Sequence, residues 1–221
     1  MKVICHRGYH NRCKENSYEA FAEAVSFHNV KGIEADVRLT SDGKLILMHD
    51  RVVNSKLTIA RSDYDEICQE LGFVVPELSE ALKRWPDILW NIEIKVIEAL
   101  APTLDVLSTN YLEKRPLITS FLHSAIFDVI GHIPADFGIV IANNPSINCK
   151  PWSSPASGPQ INCVVVDYEI LDDRLVNLIK DDGLEIYAYG MVTREEHRRC
   201  EVMKLDGIIT DYPERLNYES C

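Results

Sequence analysis

Residues 1–37 read MKVICHRGYHNRCKENSYEAFAEAVSFHNVKGIEADV and contain one complete strand–helix–strand pattern. Residues 18–28 place apolar side chains at helical spacing, and Asn16 or Ser17 can cap this predicted helix. Short apolar runs at 2–5 and 32–37 flank the helix and have the composition of strands. This order is typical of a parallel sheet covered by helices.

The alternation continues to the end of the chain. Candidate strands lie at 2–5, 32–37, 45–48, 88–94, 116–120, 137–142, 162–166, 184–189 and 207–210, and candidate helices at 18–28, 78–85, 99–110, 124–130, 172–182 and 193–203. Asp42-Gly43 is a hairpin signal, so we interpret the run at 45–48 as an excursion or an extension of the second unit. The eight remaining strands predict an α/β fold, a (β/α)₈ TIM barrel, as a single domain over residues 1–221.

One crossover breaks the alternation. Residues 143–160 are rich in proline and serine and have no helical period. Proline removes backbone donors, and serine side chains compete for backbone hydrogen bonds. We therefore predict a loop without a regular helix there.

The composition limits where the protein acts and what it binds. A net charge of −11 opposes attraction to nucleic acid or anionic membranes, and no apolar run reaches 18 residues. The N-terminus lacks the pattern of a secretory signal, and the seven scattered cysteines show no CxxC spacing. We predict a cytoplasmic protein with reduced thiols, no nucleic-acid partner and no stable membrane insertion. The sequence carries no signal for an oligomeric state.

Two predicted strands carry acidic residues on one face. Glu34 and Asp36 are two residues apart and therefore project to the same side, where they repel each other unless a cation or a proton lies between them. Glu93 and Lys95 share one face of the strand at 88–94 with Asn91. Glu93 could complete a three-carboxylate site, and ligation by oxygen atoms alone suits Mg²⁺, Ca²⁺ or Mn²⁺.

Two histidines follow strand-like runs. His6 and Arg7 come directly after the first strand, where barrel active sites lie, and Gly8 lets the chain turn away sharply. His49 directly follows the run at 45–48. Together the two imidazoles could provide acid and base catalysis near neutral pH. The other histidines look ordinary. Gly8 makes a helical zinc pair of His6 with His10 implausible, and four histidines are expected to be solvated on helices or turns: His28, His123, His132 and His197.

These residues belong to a series of motifs that resembles the glycerophosphodiester phosphodiesterase family. The series comprises His6-Arg7-Gly8, Glu15-Asn16-Ser17, Glu34-Ala35-Asp36, Thr40-Ser41-Asp42-Gly43, His49-Asp50, Asn91-Ile92-Glu93-Ile94-Lys95 and the segment 206–213. The resemblance implies a barrel enzyme that uses a divalent cation to hydrolyse small-molecule glycerophosphodiesters to glycerol 3-phosphate and an alcohol. It also implies roles for the motif residues. His6 and His49 form the acid/base pair, with no indication of which is the acid, Glu34, Asp36 and Glu93 are the metal ligands, and Arg7 and Lys95 contact the phosphate.

Some positions depart from the family pattern and bear on the substrate. Lys14 stands where the family commonly has proline, and Tyr189-Gly190-Met191-Val192 replaces a Trp-Thr-Val-Asn segment. The segment 51–76 is too short for the larger inserted subdomain of some members.

Three alternatives to glycerophosphodiester hydrolysis stay open at this point. A lysophospholipase D-type enzyme would need an apolar channel, for which the sequence offers Phe121, Leu122, Phe127, Trp152 and Tyr189. A noncatalytic barrel that binds phosphate ligands could share the fold. A metal-dependent lyase or isomerase would also use inward carboxylates, although it has no evident need for two histidines.

Overall fold

The computed structural model describes residues 1–110, 112–146, 149–153 and 160–216. The strands are β1 (Lys2–Cys5), β2 (Val30–Leu39), β3 (Leu45–Leu47), β4 (Val52–Val53), β5 (Leu57–Thr58), β6 (Leu89–Ile94), β7 (Leu117–Ser120), β8 (Asp136–Ile141), β9 (Cys163–Asp167), β10 (Glu185–Tyr189) and β11 (Gly207–Thr210). The α-helices are α1 (Tyr18–Ser26), α2 (Tyr64–Leu71), α3 (Leu78–Arg84), α4 (Leu100–Thr109), α5 (His123–Val129), α6 (Asp173–Asp181) and α7 (Arg194–Val202).

Eight parallel strands close into a barrel, which confirms the predicted fold. Each strand pairs with its sequence neighbour from β6 through β11, β2 pairs with β6, and β1 pairs with both β2 and β11. β3 runs antiparallel to β2 outside this ring, so the run at 45–48 is an excursion at the mouth, as expected. Ser17 caps α1 by accepting a hydrogen bond from the Ala20 amide.

The segment after the excursion holds structure that the sequence analysis did not predict. It contains the β4–β5 hairpin and helix α2, which begins with a reciprocal capping box between Asp63 and Glu66. A small core of its own holds this segment against the barrel and consists of Ile46, Val53, Ile59, Ile67 and Val75. The described residues of the predicted loop, 143–146, 149–153 and 160, form no helix, while 147–148 and 154–159 lie outside the described residues.

The barrel interior is filled with apolar side chains except at the carboxyl ends of the strands, where it is polar. The buried cluster inside the sheet consists of Ile4, Leu117, Val140, Cys163, Val165, Tyr187 and Ile209. A larger cluster fills the layer between the sheet and the helices and includes Cys5, so both Cys5 and Cys163 are buried apolar residues, as predicted. This apolar filling leaves only the carboxyl ends of the strands open to polar side chains.

No helix within the described ranges is long and apolar enough to cross a membrane. The cytoplasmic location stays a prediction.

Candidate active site

A cavity of about 210 Å³ opens at the carboxyl ends of the barrel strands. Charged side chains from β1, β2 and β6 and their following loops line one side of it, and apolar side chains from the later strands line the other. Both predicted histidines, Arg7, Lys95 and two of the three predicted acids border this space: His6, Arg7, Glu34, His49, Glu93 and Lys95.

The strand register brings the three predicted acids together. Asp36 on β2 lies opposite Glu93 on β6, and Glu34 lies opposite Asn91. The three residues offer carboxylate oxygens that lie within 4.8 Å of one another. Glu34 and Asp36 are 2% and 0% exposed, so water screens little of their mutual repulsion.

Two cations partly balance this acidic cluster of Glu34, Asp36 and Glu93. The Lys95 Nζ lies 2.6 Å from Glu93 Oε1 and 3.1 Å from Asp36 Oδ1, and the Arg7 Nε lies 3.0 Å from Asp36 Oδ2. Burial opposes ionisation of Asp36, yet Lys95 and Arg7 outweigh it and lower its pKa. Burial, followed by the charges of Asp36 and Glu93, raises the pKa of Glu34 well above its ordinary value.

The donor set of the acidic cluster fits a divalent cation. Glu34 Oε1 and the amide oxygen of neighbouring Asn91 are buried without a hydrogen bond, and the buried Asp36 Oδ1 faces the Lys95 ammonium. Unpartnered buried oxygens are costly, and an oxygen-ligated cation would satisfy them. A bound cation would also favour the ionised form of Glu34, and the three ionised carboxylates then outweigh the positive charges of Arg7 and Lys95. Their role as metal ligands stays a prediction.

An unusual backbone turn directs Arg7 toward these acids. Arg7 has a φ of 53° and Gly8 a φ of 75°, both in the left-handed region. A Cβ on Gly8 would lie 2.7 Å from the backbone carbon of Ala20, so this position requires glycine. The Arg7 amide donates to Glu34 Oε2 at 3.0 Å, and the guanidinium donates to Glu15. The sharp turn expected at Gly8 is therefore present.

His6 belongs to a cluster with two residues that the sequence analysis did not select. The His6 Nδ1 lies 2.7 Å from Asp211 Oδ1, and the His10 Nε2 lies 3.0 Å from the same oxygen. Hydrogen bonds from His10 and His6 overcome the effect of burial and lower the pKa of Asp211 well below its ordinary value. His10 is therefore not the ordinary histidine that was expected, because it shares the Asp211 carboxylate with His6.

The sequence did contain a signal for Asp211. Gly207 and Ile209 lie on one face of β11, Asp211 continues this alternation directly after the strand, and Ile209 faces the barrel interior. Ile4 pairs with Ile209 across β1 and β11, so the residues two positions later, His6 and Asp211, must meet at the mouth. The closing strand pair of the predicted barrel would have identified this contact.

His49 reaches the cavity from the β3 excursion rather than from a barrel strand. Its Nδ1 lies 3.0 Å from the carboxylate of Asp50. The Arg38 Nε donates to the His49 carbonyl at 2.8 Å, and the Met48 amide donates to the Asp36 carbonyl at 2.8 Å. These two bonds fix the excursion to the end of β2.

The apolar side of the cavity differs from the expected lining. Phe121 and Tyr189 border the cavity, with ring centroids 6.5 Å apart in an edge-on arrangement. Trp152 is buried elsewhere, where its indole N–H donates to Asp182 at 2.7 Å near the amino end of β10. Phe127 packs against the outer core on α5. The cavity therefore presents a short aromatic wall.

The expected solvation of His197 is wrong. It is 0% exposed, its Nε2 lies 2.7 Å from Thr210 Oγ1, and its Nδ1 lies 2.6 Å from the Thr193 carbonyl. It lies on the inward face of α7, where burial lowers its pKa. His197 therefore joins α7 to β11 as a neutral structural residue.

The chain matches the model of the glycerophosphoryl diester phosphodiesterase family over residues 6–121 and 150–215. It is 28% identical to a glycerophosphodiester phosphodiesterase of Caldanaerobacter subterraneus subsp. tengcongensis, over 97% of this chain and 95% of the relative. A protein of the same name from Bacillus altitudinis is 26% identical over 97% and 96% of the two chains.

Solved structures support the same fold. A glycerophosphodiester phosphodiesterase from Thermotoga maritima superposes with a TM-score of 0.78 at 24% identity, covering 96% of this chain and 95% of that chain. An Oleispira antarctica phosphodiesterase in complex with the product sn-glycerol-3-phosphate has a TM-score of 0.81 at 20% identity, covering 98% and 95%. Because the family model spans most of the chain, the chain belongs to the glycerophosphoryl diester phosphodiesterase family and is a phosphoric diester hydrolase.

Proposed function

We propose that this chain hydrolyses glycerophosphodiesters to sn-glycerol 3-phosphate and an alcohol, with a divalent cation and two histidines. The observation that carries the proposal is one cavity bordered by both imidazoles, by Glu34 and Glu93, and by two cationic side chains. The names of the full-length relatives and the product bound to the Oleispira antarctica neighbour support the substrate class.

Glu34, Asp36 and Glu93 would hold the cation. Mg²⁺ and Ca²⁺ suit this set of carboxylate oxygens best, and Mn²⁺ is a third suitable ion. When bound, the cation would supply Lewis-acid neutralisation of the phosphodiester charge.

Arg7 and Lys95 would bind the phosphate oxygens. Both cations border the cavity, and their side chains are 17% and 13% exposed. Their contacts with Asp36 hold them in place before substrate arrives, so little side-chain entropy is lost on binding. Burial opposes the charged form of Lys95, but Asp36 and Glu93 raise its pKa, so it stays protonated at neutral pH.

His6 acts as the general base and His49 as the general acid in this proposal. Asp211 accepts the Nδ1–H of His6, which leaves the Nε2 lone pair free to take a proton from the nucleophile as the new P–O bond forms. His49 donates a proton to the departing oxygen as the old P–O bond breaks. The nucleophile is either water or the neighbouring glycerol hydroxyl. The second route expels the alcohol and forms a cyclic phosphate, which ³¹P NMR would detect and which water must then open by breaking a ring P–O bond to give glycerol 3-phosphate.

The proposal is tested by incubating purified protein with a panel of glycerophosphodiesters and lysophospholipids, with and without Mg²⁺, Ca²⁺ or Mn²⁺. We expect cation-dependent release of sn-glycerol 3-phosphate. Release of lysophosphatidic acid from the lysophospholipids alone would instead support the lysophospholipase D-type alternative. Absence of hydrolysis with every substrate and ion would contradict the proposal.

The variant Glu93→Gln tests the cation site, because it keeps the shape of the side chain and removes its charge. In the wild type, cation at one hundred times its dissociation constant should raise the free energy of unfolding by about 2.7 kcal/mol. Glu93→Gln should lose this increase while the metal-free protein stays folded. Glu23→Gln, on the exposed face of α1, is the matched control and should keep it. Equal cation stabilisation of both variants would refute the site.

A further inference from the structure

A second cavity of about 260 Å³ adjoins the active site at the mouth of the barrel. His49 borders both cavities, so its imidazole stands between them. The wall of the second cavity is mainly apolar and includes Leu71, Phe73 and Val75 from the segment that carries α2. A leaving alcohol protonated by His49 would enter this space as it departs.

Lys14 covers the aromatic surface of this second cavity. Its Nζ lies 3.8 Å from the centroid of the Phe73 ring, which is the geometry of a cation–π contact. Phe73 is the one aromatic side chain among the described residues that line the cavity. The ring face that could accept a cationic ligand is therefore occupied by an ammonium group of the protein.

The Lys14 charge is not cancelled by the acids beside it. Glu15 directs both carboxylate oxygens to Arg7, and Asp50 lies against His49. Within the described ranges, no carboxylate comes within ion-pair distance of the Lys14 ammonium. The aromatic wall of the second cavity therefore carries an ammonium group without an ion-pair partner, in a chain whose net charge is −11.

We propose that Lys14 selects the leaving alcohol: the second cavity takes a neutral or anionic alcohol, and Lys14 disfavours a quaternary ammonium such as choline. This inference rests on the proposed function. An aromatic face is the surface that quaternary ammonium groups bind, and here a like charge holds that place. A polyol such as glycerol suffers no such repulsion, and an anionic alcohol gains an attraction.

The test measures kcat/KM for glycerophosphocholine and for glycerophosphoglycerol with wild type, Lys14→Met and Lys14→Arg. Lys14→Met keeps the alkyl stem and removes the charge, so the choline-to-glycerol ratio of kcat/KM should rise about three- to thirtyfold. Lys14→Arg keeps a cation over the ring and should leave the ratio near the wild-type value. Adding Phe73→Leu to Lys14→Met should reverse the gain, because it removes the aromatic face. Lys14 is exposed, so its replacement does not threaten folding.

The outcomes separate this inference from the proposed function. A wild type that hydrolyses neither substrate would overturn both. Hydrolysis by the wild type with an unchanged ratio in Lys14→Met would overturn the inference alone, as would an equal rise in Lys14→Arg. A ratio that responds to Tyr189→Leu and not to Lys14→Met would place the alcohol against the opposite wall of the active site and also overturn it.

Discussion

The two histidines at the barrel mouth are held in different ways. His6 follows a barrel strand, is 25% exposed as a side chain, and contacts Asp211, whose side chain is 38% exposed and also binds His10. His49 lies on an excursion outside the ring, is 37% exposed, and contacts its neighbour Asp50, which is 74% exposed. Each imidazole therefore has a carboxylate at Nδ1, but the carboxylate of His6 is better shielded from water.

This difference indicates that different contacts hold the two imidazoles in position. A shielded, shared carboxylate holds a ring and its tautomer firmly, whereas an exposed pair between adjacent residues contributes little. The position of His49 depends instead on backbone anchoring by Arg38. We therefore expect catalysis by His6 to depend on Asp211, and catalysis by His49 to depend on the Arg38 hydrogen bond.

The largest effects should come from removing either imidazole. His6→Ala and His49→Ala should each lower kcat/KM for a glycerophosphodiester by about 10²–10⁴-fold, because each loses a positioned acid or base. Circular dichroism should show that both variants fold. Near-normal activity in both folded variants would contradict the two-histidine mechanism.

Removing the charge of Asp211 or of Asp50 should have clearly different effects on kcat. Asp211→Asn should lower kcat by about 10- to 100-fold, since it breaks a charged hydrogen bond that fixes the His6 tautomer. Asp50→Asn should lower kcat by less than about fivefold, because exposed ion pairs contribute at most about 1 kcal/mol. Steady-state kinetics on the two variants measures the difference directly. Equal losses would mean that the two histidines are held alike.

A smaller effect should follow from loosening the excursion. Arg38→Met removes the bond to the His49 carbonyl and should lower kcat by about two- to tenfold, the value of one ordinary hydrogen bond. Arg61→Met, an exposed arginine shortly after the β4–β5 hairpin, is the control and should stay at the wild-type rate. A wild-type rate in Arg38→Met would show that the excursion needs no such anchor.

The smallest effect concerns the pH dependence of stability at His10. The hydrogen bond to Asp211 raises the pKa of His10 against the opposing effect of burial. A histidine with a raised folded-state pKa stabilises the protein fully below its unfolded pKa of about 6.5, and the contribution disappears as pH rises through the folded value. The stability difference between wild type and His10→Gln should therefore shrink from pH 6 upward, as measured by urea unfolding. His132→Gln, an exposed site, should show no such trend, and a difference that grows with pH would refute the assignment.

Much of the architecture could be predicted because local patterns and the closed sheet agree. The alternation along β2 and β6 places Glu34, Asp36 and Glu93 on interior faces, and the barrel brings these strands into register. Helix α2 has few apolar residues, so apolar periodicity does not reveal it, although Asp63 and Glu66 form a capping box. The capping signal was sufficient to predict it.

Contacts between distant parts of the chain were harder to predict. The Asp211 contact joins residues from opposite ends of the sequence and depends on the closing register of β1 with β11. The burial of His197 depends on which face of α7 meets Thr210, which helical spacing alone does not determine. Trp152 lies in a crossover without periodicity, so no pattern indicated which end of the barrel it would cover.

In the proposed mechanism, His6 accepts the proton of the nucleophile and His49 protonates the leaving group. The p-nitrophenyl ester of glycerol 3-phosphate tests it directly, because p-nitrophenolate departs without needing a proton. On this substrate His49→Ala should recover much of the rate that it loses on glycerophosphoglycerol, whereas His6→Ala should stay impaired. Recovery by His6→Ala and not by His49→Ala would reverse the two roles, and recovery by neither variant would contradict general-acid catalysis by either histidine.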